Sequence, residues 1–108
     1  MELGEQIKHD IKTNPMILYM NGTKGAPMCG FSNAVVQVLA QYGVEYQDVN
    51  ILVDPEIRVR LSEYSNWPTI PQLFVNGELV GGSDIILELH QRGKLLPVLE
   101  RAVLPNGE

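Results

Sequence analysis

The sequence predicts an α/β fold: a four-stranded mixed sheet with helices on both faces. Three observations carry that expectation. Met16 to Met20 (Met-Ile-Leu-Tyr-Met) is apolar at every position, as a strand covered on both sides must be. A helical pattern and then a second strand follow it, and a strand–helix–strand unit pairs its strands in parallel with a right-handed crossover. Further on, Gln72 to Val75 and Glu78 to Val80 flank Asn76-Gly77, the favoured two-residue hairpin turn.

Each element has its own signal. Leu3, Ile7 and Ile11 recur every four residues and form one stripe of a short first helix. Asn14-Pro15 stops it, because a residue before proline avoids the helical region. The apolar strand 16–20 comes next, and then Asn21 to Met28, with Gly22, Gly25 and Pro27, reads as a loop. From Gly30 the spacing of Phe31, Ala34, Val35, Val38, Leu39 and Tyr42 gives a helix with one buried face, ended by Gly43. Tyr46 to Ile51 is the second strand. Asp54-Pro55-Glu56 starts a helix, with Asp as N-cap and Pro at the first helical position, and Ile57, Leu61 and Tyr64 form its inner stripe. Trp67-Pro68-Thr69-Ile70-Pro71 cannot be helical, and it leads into the hairpin. Gly81-Gly82-Ser83-Asp84 opens a helix through Ile85, Ile86 and Leu89, with Ser83 or Asp84 as its cap; Gly93 closes it, and Leu95 to Val103 forms a last short helix. This layout is thioredoxin-like.

Composition narrows the function. The 108 residues suffice for one domain, and 44% hydrophobic against 19% charged residues is globular composition. Eight Lys and Arg against thirteen Asp and Glu leave a net charge of -5, so no basic face is available for nucleic acid. No apolar run approaches the roughly 20 residues that cross a bilayer. The start, Met1 to Glu5, lacks the basic and apolar pattern of an export signal, so a cytoplasmic location is expected. Asn21-Gly22-Thr23 matches the glycosylation triplet but carries no weight without export.

Cys29 is the one cysteine, which rules out an internal disulfide and a cysteine-built zinc site within one chain. Any redox or metal chemistry at Cys29 must borrow sulfur from another molecule. Cys29 sits at the first turn of the helix after the buried strand, where free N–H groups and partial positive charge favour a thiolate. Ser32 occupies the place of the second cysteine in a Cys-x-x-Cys motif, so a two-cysteine cycle is unavailable; its simplest role is to help cap the helix. Proline at 71 either bounds a strand or, if cis, leaves the Ile70 backbone free to pair with an extended ligand. Gly82-Ser83 at a helix start is an anion site in principle, with Asp84 suited to an ammonium. Trp67 is a packing residue or stands at the rim of a groove. His9 and His90 have no clustered partners.

Cys29-Gly30-Phe31-Ser32, Asn66-Trp67-Pro68-Thr69-Ile70-Pro71-Gln72 and Gly81-Gly82-Ser83-Asp84-Ile85, in this order, resemble the monothiol glutaredoxins of the CGFS type, in their short single-domain form. The resemblance covers about residues 14–99, with 1–108 expected as a single glutaredoxin domain. It implies a thioredoxin fold with cis-Pro71 and a glutathione groove. Glutathione would lie along Thr69 and Ile70, its γ-glutamyl carboxylate at Gly82 and Ser83 and its amine at Asp84. Its glycyl carboxylate would meet Arg58 and the position of Asn21. The resemblance further implies a [2Fe-2S] cluster held by a homodimer through Cys29 and two glutathiones, with delivery to iron–sulfur acceptor proteins and BolA-like partners. A one-cysteine thiol oxidoreductase is the alternative. Two departures stand out: Asn21 replaces the family's lysine, and Ser83 stands where many relatives have cysteine. Weaker glutathione binding or a less acidic Cys29 is expected from the first, with Lys24 a second candidate for the missing charge.

Overall fold

The computed structural model describes residues 1–103. Along the chain come α1 (Leu3–Thr13), β1 (Met16–Met20), β2 (Gly22–Thr23), β3 (Ala26–Pro27), α2 (Gly30–Tyr42) and β4 (Gln47–Asn50). A 3₁₀ turn (Ile51–Val53) leads to α3 (Pro55–Ser65), β5 (Gln72–Val75), β6 (Glu78–Gly81), α4 (Ser83–Gln91) and α5 (Leu95–Val103). The main sheet has the order β4-β1-β5-β6, with β1 parallel to β4 and antiparallel to β5, and β5 antiparallel to β6. This is the expected four-stranded mixed sheet.

The alternation of side chains along β1 divides the core in two. Met16, Leu18 and Met20 pack with Leu73, Val75 and the inner faces of α2, α4 and α5. Ile17 and Tyr19 pack with Phe74 and the inner faces of α1 and α3. Helices therefore cover both faces, and all five residues of β1 are buried. The hairpin turn holds Asn76 and Gly77 at φ 51° and 83°, the two positive values its tight geometry needs.

Several local expectations are revised. The segment 21–28 is not a plain loop: Gly22–Thr23 and Ala26–Pro27 pair as a small antiparallel ribbon. The second strand ends at Asn50, because the Asn50 side chain accepts from Leu52 N and starts the 3₁₀ turn. Phe31 is 64% exposed and is not part of the buried face of α2. Tyr64 is likewise exposed, near the end of α3, and the inner stripe there consists of Ile57 and Leu61. Neither Ser83 nor Asp84 caps α4; its N-cap is Gly82, with no side-chain cap bond. No helix among the described residues is long and apolar enough to cross a membrane.

Candidate functional site

The topology brings the chemistry to one end of the sheet. β1 and β4 end there, β5 begins there, and β6 returns there. The start of α2, the 3₁₀ turn, the segment before β5 and the start of α4 therefore converge. In open α/β sheets this end, beyond the strand C-termini, is where ligands sit.

Cys29 is the N-cap of α2, with an extended backbone at φ -154° and ψ 143°, and it is half-exposed. Hydrogen bonds lower its thiol below the ordinary value: first from the Ser32 backbone N–H, then from the Asn21 side chain, with smaller help from the Phe31 backbone and the Ser32 hydroxyl. Partial burial opposes them. These donors are the unpaired groups of a helix start aimed at an anion, so the sulfur is a thiolate more readily than a free cysteine. Exposed apolar residues flank it, Met28 at 71% and Phe31 at 64%.

Ser32 does not cap α2. It is fully buried, and its hydroxyl oxygen accepts from Asn21 N at 3.1 Å. That leaves its proton free for the sulfur. Asn21 O accepts in turn from Met28 N at 3.0 Å, closing the base of the ribbon beside Cys29. Lys24 does not approach the sulfur: its ammonium donates to Tyr46 O and lies 4.4 Å from the centroid of the Tyr46 ring.

Next to Cys29 lies a groove of about 150 Å³ lined by Phe31, Trp67, Thr69, Ile70, Gly82, Ser83, Asp84 and Ile85. Five of the residues expected from sequence thus line one cleft. The Ile70–Pro71 peptide is cis. Gln72 braces the wall from beneath: it is wholly buried, and its amide nitrogen donates to Trp67 O at 2.9 Å and Thr69 O at 3.0 Å. Gly82 sits close against that wall. A Cβ there would stand 3.2 Å from Pro71 O and 3.5 Å from Trp67 Nε1, which is why the position takes glycine.

Besides Cys29 itself, two expected residues stand outside the groove lining. Asn21 belongs to the sulfur, and Arg58 is exposed on α3 with its guanidinium 3.4 Å from Pro68 O, at the far end of the Trp67–Ile70 segment. Three members were not singled out from sequence as part of the site. Phe31 looked like core because it falls in phase with the apolar stripe. Ser32 looked like a cap. Gln72 carries a legible signal: it is a lone amide among Pro71, Leu73, Phe74 and Val75, where a buried strand otherwise takes apolar residues.

The arrangement suits anions and one thiolate. Both helices that open at the site, α2 and α4, begin without a side-chain cap, whereas α1 is capped by Glu2 and α3 by Asp54. Free N–H groups and the positive ends of two helices therefore face the site. Among the described residues no three His, Cys, Asp or Glu side chains are grouped to hold a metal ion. A second hollow, among Pro15, Met16, Lys24, Tyr46 and Leu99, lies at the other end of the sheet.

Comparison with known proteins agrees with this geometry. The glutaredoxin family model matches residues 16–80. An uncharacterized monothiol glutaredoxin ycf64-like of Synechocystis is 50% identical over 102 residues, 94% of this chain and 95% of the relative. Glutaredoxin 4 of Escherichia coli K12 is 50% identical over 96 residues, 89% of this chain and 84% of the relative. The solution structure of reduced poplar apo GrxS14 superposes with a TM-score of 0.82 at 40% identity, covering 95% and 94% of the two chains. One cysteine at a helix start, beside a groove built on a cis-proline segment, in a sequence half identical to these relatives: the chain belongs to the monothiol glutaredoxins.

Proposed function

We propose that this glutaredoxin binds glutathione in the groove and, as a homodimer, carries a [2Fe-2S] cluster that it transfers to acceptor proteins. The observation that supports this most directly is the supply of sulfur. The chain has one cysteine, and the hydroxyl in the position of a second is buried and committed to Asn21 N. A cluster of this type takes four ligands, usually thiolates. One chain offers a single sulfur, its twin offers another, and two glutathiones complete the set. The site fits such cargo. Cys29 is held toward its thiolate form, and exposed Met28 and Phe31 offer apolar surface for a second copy to cover. Glutathione thiols exchange with solution, which suits delivery rather than storage.

Each residue expected from sequence has a part in this reading. The backbone of Thr69 and Ile70 pairs with the extended tripeptide. The uncapped start of α4 at Gly82 and Ser83 takes the γ-glutamyl carboxylate, and Asp84 takes the ammonium. Arg58, with Asn21 in a lesser role, takes the glycyl carboxylate. We assign the same single domain over residues 1–108, a cytoplasmic site of action and BolA-like partners to this function.

The lowered Cys29 thiol favours a second reading, thiol–disulfide exchange. The thiolate would attack the glutathione sulfur of a protein–glutathione disulfide and release the protein thiolate. A second glutathione thiolate would then attack the Cys29 adduct, giving glutathione disulfide and free Cys29.

Anaerobic reconstitution with iron, sulfide and glutathione separates the two. The carrier reading expects a brown dimer whose colour and size are lost in Cys29→Ser and without glutathione. A colourless monomer that rapidly removes glutathione from mixed disulfides would replace it with the enzyme reading.

A further inference from the structure

Asn50, the last residue of β4, has a side chain that the proposed function does not use. Its carboxamide oxygen accepts from two amides at once, Gly22 N of β2 and Leu52 N of the 3₁₀ turn, each at 3.0 Å. The first amide opens the ribbon that follows β1. The second opens the path to α3. One oxygen therefore ties together two segments that share no sheet.

The two segments are anchored in different ways. Ile51 in the turn and Ile57 in α3 are buried in the same core as Ile70 of the groove wall. Asp54 caps α3 by accepting from Glu56 N at 3.0 Å, which fixes the start of the helix that carries Arg58. The ribbon has no such anchor: among the described residues, neither apolar core takes a side chain from β2 or β3. Polar bonds hold it instead. Gly22 N goes to Asn50, Lys24 N goes to Asp48 Oδ2 at 2.8 Å, and Met28 N closes the ribbon on Asn21 O at 3.0 Å. Gly22 is buried at φ +90° with space for no side chain, since a Cβ there would stand 2.5 Å from Ala26 O. Hydrogen bonding is thus the means by which this corner is held.

We propose that Asn50 is a positioning residue for glutathione: it sets the ribbon, and Asn21 with it, against the turn that leads to Arg58, and so fixes the gap that receives the glycyl carboxylate. This rests on the place assigned above to that carboxylate, at Arg58 and Asn21. A gap fixed before the ligand arrives costs less to occupy, so loss of the tie is read as affinity. Asn50 acts on the glycyl end alone. The γ-glutamyl end goes to Gly82, Ser83 and Asp84 at the start of α4, which neither bond of the Asn50 oxygen reaches.

The test compares glutathione with its glycyl ethyl ester, which differ only at the glycyl carboxylate, by NMR titration of the full chain. Wild type is expected to bind glutathione the more tightly. Asn50→Ala is expected to weaken glutathione about three- to fivefold, the worth of a charge-assisted contact near the surface, and to leave the ester unchanged. A general loosening of the groove would weaken both ligands alike. Arg58→Ala is expected to lower the preference for glutathione in the same way, and the double variant to lose less than the product of the two single effects, because both act on one carboxylate. Should Asn50→Ala not fold, Asp48→Ala loosens the ribbon from the same strand, with Asp48→Asn, which keeps an acceptor, as its charge control; the alanine variant is expected to show the smaller preference for glutathione. Equal affinity of wild type for the two ligands would overturn the proposal together with the assigned place of the glycyl carboxylate. A wild-type preference that survives in Asn50→Ala, or in its stead in Asp48→Ala, or full additivity with Arg58→Ala, would overturn the role of Asn50 alone.

Discussion

Replacing Gln72 by Glu tests how the groove wall is held. Gln72 is 0% exposed, and its two N–H bonds to the Trp67 and Thr69 carbonyls span 2.9 and 3.0 Å. Glutamate has nearly the same shape, so packing is conserved while the chemistry reverses. An ionised carboxylate has no proton to give and would face two carbonyl oxygens. A protonated one avoids burying a charge but serves only one of the two carbonyls. Losing one bond and leaving one carbonyl dry costs about 2 kcal/mol, even where the new group is neutral in both states.

The rest of the cost depends on pH. Burial raises the folded-state pKa of the introduced carboxyl above its unfolded value of about 4.3. Below that value the folded and unfolded chains hold the same proton, and no further penalty arises. Above it the unfolded chain releases a proton that the folded chain retains, and each pH unit removes about 1.4 kcal/mol more. Between about pH 4.5 and about pH 7 this adds up to about 3.5 kcal/mol, for a total of about 5.5 kcal/mol, close to the lower end of the stability of an ordinary domain. Urea unfolding of both proteins at the two pH values measures it. A difference from wild type that is the same at both, or that stays under about 0.5 kcal/mol at pH 7, would refute the assigned role of Gln72.

Tyr19→Phe should stabilise the fold by about 1 kcal/mol, because the Tyr19 hydroxyl is buried with no hydrogen-bond partner among the described residues, and burial pushes its ionisation up. A lower urea midpoint in the variant would contradict this. Asn21→Lys should tighten glutathione binding by about two- to fivefold at low salt, since it places a full charge where the carboxamide offers only a dipole. Titration calorimetry with no change in affinity would count against the assigned place of the glycyl carboxylate. Gly82→Ala should cost about 1 kcal/mol and weaken glutathione binding, because its Cβ meets a backbone oxygen, Pro71 O, at 3.2 Å and the wall must give way. Unchanged stability and affinity together would show that the wall moves freely.

Local chemistry made much of this protein readable in one dimension. The all-apolar Met16–Met20 run dictated a central strand, because only a strand with both faces covered tolerates it. Asp54-Pro55 and Asn76-Gly77 dictated a helix start and a tight hairpin, because cap geometry and positive φ are demands on single residues. A lone cysteine at a helix start dictated that further sulfur must come from outside the chain. The spacing of apolar residues did not say which in-phase positions the core covers, so Phe31 and Tyr64 keep the phase of the core and yet are exposed. Nor could a linear pattern show that Ser32, Gly22 and Asn50, the last two separated by 28 residues along the chain, share the hydrogen bonds that hold the sulfur's surroundings. Those bonds exist because β1 and β4 lie side by side and end together. Which side chain fills the space between two strand ends is decided by packing, and packing is settled only when the whole sheet is assembled.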